Sequence, residues 1–185
     1  MKEEIIIAGF GGQGVLSMGK ILAYSGIMQD QEVTWMPAYG PEMRGGTANV
    51  TVILSDDPIS SPIVGCYDTV IILNQQSMTK FEKTVKPGGL LLYDPNGISA
   101  PPQRSDIEIY KIEATEEASK MNNPRLFNMI VLGGFLKIKP IVQDENVIAG
   151  LKKSLPERHH KLIPMNIQAI ERGKNIVVKE LSNLL

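Results

Sequence analysis

The residues best suited to chemistry are Gly9, Gly11, Gly12 and Gly14. With Phe10 and Gln13 they spell G-F-G-G-Q-G directly after the apolar run Ile5-Ile6-Ile7-Ala8. Glycines at this spacing, between a strand and a helix, let the backbone turn sharply and come close to a phosphate. The N–H groups at the helix start, together with the helix dipole, then favour an anion. A dinucleotide site would also need a carboxylate about 20 residues further on, at the end of the second strand. That strand ends here in Thr34-Trp35-Met36-Pro37, and Asp30 and Glu32 stand at its beginning, so NAD is disfavoured. Two readings remain level: a phosphate or pyrophosphate site, and a tight turn that binds nothing and packs helix on strand.

A second stretch, Pro37-Ala38-Tyr39-Gly40-Pro41-Glu42-Met43-Arg44-Gly45-Gly46-Thr47, is constrained by its glycines and prolines and is not helical. Following the second strand of a parallel sheet, it is expected at the same sheet edge as the glycine loop, where ligands bind in such folds. Arg44 suits a phosphate or carboxylate, because its planar donors bind two oxygens at once. A salt bridge to Glu42 or to another chain is an equal alternative. Trp35, Met36, Tyr39 and Met43 are either core or contact surface, being types enriched at protein interfaces.

The elements that must position these loops alternate strand and helix. Strands are expected at Ile5–Ala8, Glu32–Met36, Thr47–Leu54, Thr69–Leu73, Leu90–Tyr93 and around Ile107–Ile112. Helix-like spacing runs from Val15 to Met28 and near Ser77–Val85, and Lys86-Pro87-Gly88-Gly89 reads as a turn. Arg125–Leu136, Glu145–Leu155 and the chain from Pro164 onward read as helices. The expectation is one α/β domain over residues 1–185, Rossmann-like, with a mostly parallel sheet, flanking helices and a helical carboxyl-terminal extension from about residue 124.

Composition narrows the chemistry. The 185 residues are 43% hydrophobic, enough for a core, and the net charge of −1 argues for neither a nucleic-acid nor a membrane partner. No apolar run is long enough to span a bilayer or form a signal-peptide core, so a cytoplasmic protein is expected. Cys66 is the single cysteine, which excludes an internal disulfide and a self-contained iron–sulfur cluster. His159 and His160 are neighbours and do not face one way on a helix, so a zinc site from them alone is not expected.

The two loops together carry a resemblance. G-F-G-G-Q-G-V at Gly9–Val15, followed by Y-G-P-E-M-R-G-G-T at Tyr39–Thr47, strongly resembles the γ subunit or γ domain of 2-oxoacid:ferredoxin (or flavodoxin) oxidoreductases. The similarity continues through Ser60-Ser61-Pro62, the Tyr67–Asn74 strand, Asn128-Met129 and Gly133-Gly134, and weakens after about Ile138. Within that family the chain looks most like the separate γ subunits of 2-oxoglutarate or branched-chain 2-oxoacid enzymes.

The resemblance implies an oxidative decarboxylation of a 2-oxoacid with CoA to acyl-CoA and carbon dioxide, with ferredoxin as external acceptor. It implies that thiamine diphosphate, magnesium and iron–sulfur clusters sit on α- and β-type partners and, in some complexes, a ferredoxin-type δ subunit. The chain agrees by what it lacks, having no Gly-Asp-Gly diphosphate motif and too few thiols. No catalytic residue and no metal ligand is assigned to it. CoA contains an ADP pyrophosphate, which suits a glycine loop without a ribose-binding acid. The site expected is therefore Gly9, Gly11, Gly12, Gln13 and Gly14, with Arg44 close by. The competing readings are a structural subunit that docks the other chains and a free-standing nucleotide-binding protein.

Overall fold

The computed structural model describes residues 1–39 and 46–180. Within them, strands β1 (Lys2–Phe10), β2 (Glu32–Tyr39), β3 (Thr47–Ser55), β4 (Tyr67–Ile72), β5 (Val85–Tyr93), β6 (Glu108–Lys111) and β7 (Val178–Lys179) form one sheet, in the order β2-β3-β1-β4-β5-β6-β7. The helices are α1 (Val15–Met28), α2 (Gln75–Phe81), α3 (Ala114–Lys120), α4 (Phe127–Ile138), α5 (Asp144–Ser154) and α6 (Ile163–Ile176).

The α/β class and the flanking helices are as expected, but the sheet is mixed. β1–β4, β4–β5 and β5–β6 pair in parallel, whereas β1–β3, β2–β3 and β6–β7 are antiparallel. The reason lies in the second and third strands. β3 is buried along almost its whole length and needs neighbours on both sides, so it inserts beside β1. β2 carries Pro37 and the exposed Trp35 and Met36, a composition suited to a sheet edge.

β1 is covered on both faces, which explains a run without polar alternation. Ile5 and Ile7 join the core under α1, α4, α5 and α6, while Ile6 joins a smaller core on the opposite face. Each such side chain contributes about 1.5–3 kcal/mol through its burial. The two layers are unequal. α1 and α3 to α6 cover one face, and α2 covers the other with help from Val64, Ile98 and Ile107.

The carboxyl-terminal helices are thus part of the main layer. α4 and α6 cross with almost no side chain between them, because a Cβ at Gly133 would strike the Ile170 carbonyl and one at Gly173 the Ile130 carbonyl. α4 also spans the sheet from edge to edge: Asn128 in its first turn reaches Gly14, and Lys139 after its last turn reaches Glu3.

The Lys86-Pro87-Gly88-Gly89 signal does not end a strand. Val85 pairs with Tyr67 and Leu90 with Thr69, so β5 accommodates those residues as a bulge opposite Asp68, with Gly88 at φ 72°. α3 and β7 escaped the sequence reading. α3 is a single short polar segment, and β7 is two residues long.

Candidate anion-binding cleft

The geometry of the glycine loop follows from the end of β1. After Phe10 the chain must reverse into α1, and it does so with Gly12 at φ 98° and Gly14 at φ 75°. L side chains are strained in this region. Gly14 is the N-cap of α1, with no side chain capping the helix and no acidic residue in its first turn. Its carbonyl accepts from the Met18 N–H at 2.9 Å and from Asn128 Nδ2 at 3.4 Å. The Gly12 and Gly14 N–H groups have no partner among the described residues. A bare helix N-terminus of this kind holds partial positive charge.

The expected site residues then divide in two. Gln13 braces the loop: Phe10 N–H donates to its Oε1 at 2.6 Å, and its Nε2 donates to the Leu73 carbonyl at 3.1 Å. Its own backbone N–H donates to the Phe10 carbonyl at 3.2 Å, and Gly11 N–H donates to the Gly46 carbonyl at 3.0 Å. Gly9 is a packing position, where a Cβ would stand 2.6 Å from Gln13 Oε1 and 3.0 Å from Leu73 Cβ. Gly12 is the opposite case, since a Cβ there meets nothing within 4 Å. Gly9, Gly11 and Gln13 shape the loop, whereas Gly12, open to free space, and Gly14, packed under the Asn128 side chain, line its outer side.

They face a cleft of about 400 Å³, whose other walls include Ser17, Thr115, Ser119 and Arg125. No carboxylate lines it. Thr115 is held in place by buried Asp94, which accepts from its N–H at 2.9 Å and its hydroxyl at 2.7 Å. Arg125 is exposed and makes no salt bridge among the described residues. Hydroxyls, free backbone N–H groups and one guanidinium without a carboxylate make a place for an anion.

A larger groove of about 1020 Å³ runs along the β6–β7 edge. Its cations are already matched: Arg104 pairs with Asp106, Lys120 with Glu116 and Lys179 with Glu108. That groove has no net preference for an anion.

Arg44 lies outside the described residues, as do Met43 and the rest of 40–45. Tyr39 and Gly46, on either side, stand at the glycine-loop end of the sheet, since Tyr39 pairs with Ala48 and Ala48 with Gly9. Glu32 pairs with Ser55 at the other end, so it is no substitute for a ribose-binding acid. The sequence reading missed Arg125, Thr115 and Ser119, because only tertiary packing brings them beside residues 12–14. Asn128 carries part of the family resemblance, and only the fold makes it a neighbour of the loop. His160 is structural: its Nε2 lies 3.0 Å from the carbonyls of Lys152 and Leu155. Among the described residues no three His, Cys, Asp or Glu side chains are placed to hold a metal, and no helix is long and apolar enough to cross a membrane.

Comparison with known proteins agrees with this architecture. Residues 4–176 match the family described as pyruvate ferredoxin/flavodoxin oxidoreductase. Ketoisovalerate oxidoreductase subunit VorA of Methanothermobacter thermautotrophicus is 36% identical over 170 residues, covering 92% of this chain and 35% of the relative. The chain therefore spans about a third of the length of that relative. 2-Oxoglutarate synthase subunit KorC of Methanocaldococcus jannaschii is 34% identical over 184 residues, covering 98% of this chain and 96% of the relative. In fold, the chain is similar to the keto/oxoacid ferredoxin oxidoreductase γ subunit of Geobacter sulfurreducens, with TM-score 0.79, 24% identity and coverage of 97% and 99% of the two chains. It is also similar to the 2-oxoglutarate:ferredoxin oxidoreductase of Magnetococcus marinus solved with 2-oxoglutarate, coenzyme A and succinyl-CoA, with TM-score 0.85, 23% identity and coverage of 94% of this chain and 30% of that one. With its mixed sheet, its glycine loop and a match over nearly its whole length, the chain belongs to the pyruvate ferredoxin/flavodoxin oxidoreductase family.

Proposed function

We propose that this chain is the γ-type subunit of a cytoplasmic 2-oxoacid:ferredoxin oxidoreductase, and that its glycine-loop cleft holds the pyrophosphate of CoA. The observation that carries the proposal is the uncapped start of α1 at Gly12 and Gly14, opening on a cleft with hydroxyls and Arg125 but no carboxylate. The complex would convert a 2-oxoacid, CoA and oxidised ferredoxin to acyl-CoA, carbon dioxide and reduced ferredoxin. 2-Oxoglutarate is the preferred substrate class, because the KorC relative aligns over 96% of its length.

Bond breaking belongs to the α- and β-type partners. Thiamine diphosphate with magnesium would supply decarboxylation there, and iron–sulfur clusters would carry electrons toward ferredoxin. This chain offers one thiol, Cys66, and no diphosphate motif. Its own part is to orient CoA. Gly9, Gly11 and Gln13 fix the loop, while Gly12, Gly14 and the first turn of α1 present N–H donors to the two phosphates; Arg44 is proposed to stand nearby. Trp35 and Met36, exposed on edge strand β2, are proposed as part of the assembly surface.

The test uses assembled complex. Gly12→Val strains a residue at φ 98° and fills the open side of the loop. Losing charged hydrogen bonds of about 1.5–3 kcal/mol raises the KM for CoA roughly ten- to a hundredfold. The KM for the 2-oxoacid stays near wild type, and decarboxylation with an artificial acceptor and no CoA survives. Wild-type CoA dependence in an assembled Gly12→Val complex would leave a purely structural docking subunit. The bracing role of Gln13 is the observation that favours that second reading.

A further inference from the structure

Two exposed faces of the molecule differ in chemistry. Around β2 the exposed side chains include Trp35 and Met36, with Ile27 and Met28 at the end of α1. Between the end of α5 and the start of α6 the exposed side chains are basic. From Asn146 to Ile170 the chain has four lysines and arginines, Lys152, Lys153, Arg158 and Lys161, against one carboxylate, Glu157. The whole chain, by contrast, is balanced at 19 basic to 20 acidic residues. All four cations are exposed, and none is in a salt bridge among the described residues. Folding gathers them into one strip. His160 Nε2 lies 3.0 Å from the carbonyls of Lys152 and Leu155, which pins the 3-10 turn Glu157–Leu162 against the end of α5. Arg158 and Lys161, three apart in that turn, share one side of it. Exposed Ile148 stands one helical turn before Lys152, and exposed Leu162 and Met165 follow Lys161.

Helix dipoles explain only half of the strip. Lys152 and Lys153 stand in the last turn of α5, where a cation is favoured. Arg158 and Lys161 come just before α6, whose first turn has no acidic residue, and there the dipole disfavours a cation. Arg158 Nε finds only an imidazole nitrogen, His159 Nε2 at 3.2 Å. Nothing among the described residues offsets this concentration of like charge.

The residue types say what kind of partner fits. Permanent interfaces are apolar at their centre and depleted in lysine, which suits the β2 face. A lysine-rich strip with three scattered apolar residues suits a transient encounter, in which unmatched charge raises the association rate. Complementarity makes the visitor acidic. An iron–sulfur carrier brings negative charge through its cluster, which is held by thiolates. We infer, on the oxidoreductase reading above, that Lys152–Lys161 is the docking strip for the ferredoxin that visits the complex. This chain steers the carrier, and the electrons leave from a cluster on a partner subunit.

The experiment is steady-state reduction of ferredoxin by assembled complex. Wild type is compared with Lys152→Gln, Lys161→Gln and the triple reversal Lys152→Glu/Arg158→Glu/Lys161→Glu. Assembly is checked first by size-exclusion chromatography, and reduction of methyl viologen with 2-oxoacid and CoA is the control. At about 50 mM salt each single change is expected to raise the KM for ferredoxin roughly two- to threefold, and the triple reversal about tenfold or more. The gap closes at about 0.5 M salt, where the screening length falls to roughly 4 Å. The methyl viologen rate and the KM for CoA stay as in wild type. If the triple reversal does not assemble, the single variants carry the same test. An unchanged KM for ferredoxin in the assembled variants would overturn the docking strip. So would loss of assembly in Lys152→Gln or Lys161→Gln, which would make the strip a permanent subunit contact, and so would a wild-type complex that reduces methyl viologen but not ferredoxin. In these cases wild-type reduction of methyl viologen leaves the oxidoreductase reading standing. A wild-type complex that reduces neither acceptor sinks that reading and takes the docking strip with it.

Discussion

At the edge where β1 begins, charges come in closed sets, whereas at the edge where β1 ends they are left open. Glu3, buried, accepts from Lys139 Nζ and Thr69 Oγ1, both at 2.6 Å. Beside it Glu4 accepts from Lys2 at 2.6 Å and from Lys86 at 2.7 Å, and Lys86 also reaches Asp68 at 2.7 Å. At the other edge, Arg125 and Lys20 stand without carboxylates around an uncapped helix start. Asp94, buried behind the cleft wall, accepts from Thr115 and from the Asn96 N–H. Both edges belong to the same strands, so topology does not cause the difference. A set of matched charges holds strands and helices together, and a set of unmatched donors keeps its capacity for something that arrives later.

The largest effect on stability is expected at the closed edge. Glu3→Ala strands the Lys139 ammonium and a fully buried Thr69 hydroxyl. It should cost about 2–3 kcal/mol in a denaturant titration, with CoA affinity in the assembled complex unchanged. A loss of CoA affinity from this change would dissolve the distinction between the edges.

Gly9→Ala probes whether the open edge is uniformly open. Its Cβ would lie 2.6 Å from Gln13 Oε1, so the loop brace must yield, at about 1–3 kcal/mol of stability. CoA affinity should fall with it, because the brace sets the loop. Gly12→Ala, by contrast, has free space and strain alone, and should cost about 1–2 kcal/mol.

The smallest effect concerns acid. Burial alone would push the Glu4 carboxyl up, but hydrogen bonds from Lys2 and Lys86 outweigh it and hold the carboxyl below its ordinary value of 4.5. A folded-state value below the unfolded one means that the stabilisation is complete above about pH 4.5 and is lost as pH falls through the lower folded value. The pair is partly exposed, so its worth is at most about 1 kcal/mol. Lys86→Met should flatten that part of the acid limb of a stability profile. An unchanged limb would show that Lys2 alone holds Glu4 down.

Much of this comparison could be read in the residues, and the rest depended on tertiary contacts. The run Ile5–Ala8, the glycine spacing and the period of α1 are local signals, and they placed the loop at the end of β1. The insertion of β3 between β2 and β1 was hidden, because both strands read alike until neighbours are assigned. The Lys86–Gly89 bulge looked like a turn because Pro and Gly mark both. In the site, Gly12 and Gly14 were apparent from type alone. Gln13 gave no sign that its amide faces inward to Phe10 and Leu73. Arg125, just before α4, and Lys20, inside α1, are ordinary helix cations in sequence, and only the packing of α4 and α5 against α1 brings them together.

Hydrogen–deuterium exchange of assembled complex, with and without saturating CoA, tests the central claim most directly, because it reads the backbone N–H groups themselves. The account predicts that CoA slows exchange of the peptide covering Gly11–Ser17, while the peptide covering Lys2–Ile6 exchanges as before. Unchanged exchange across Gly11–Ser17 under saturating CoA would contradict it.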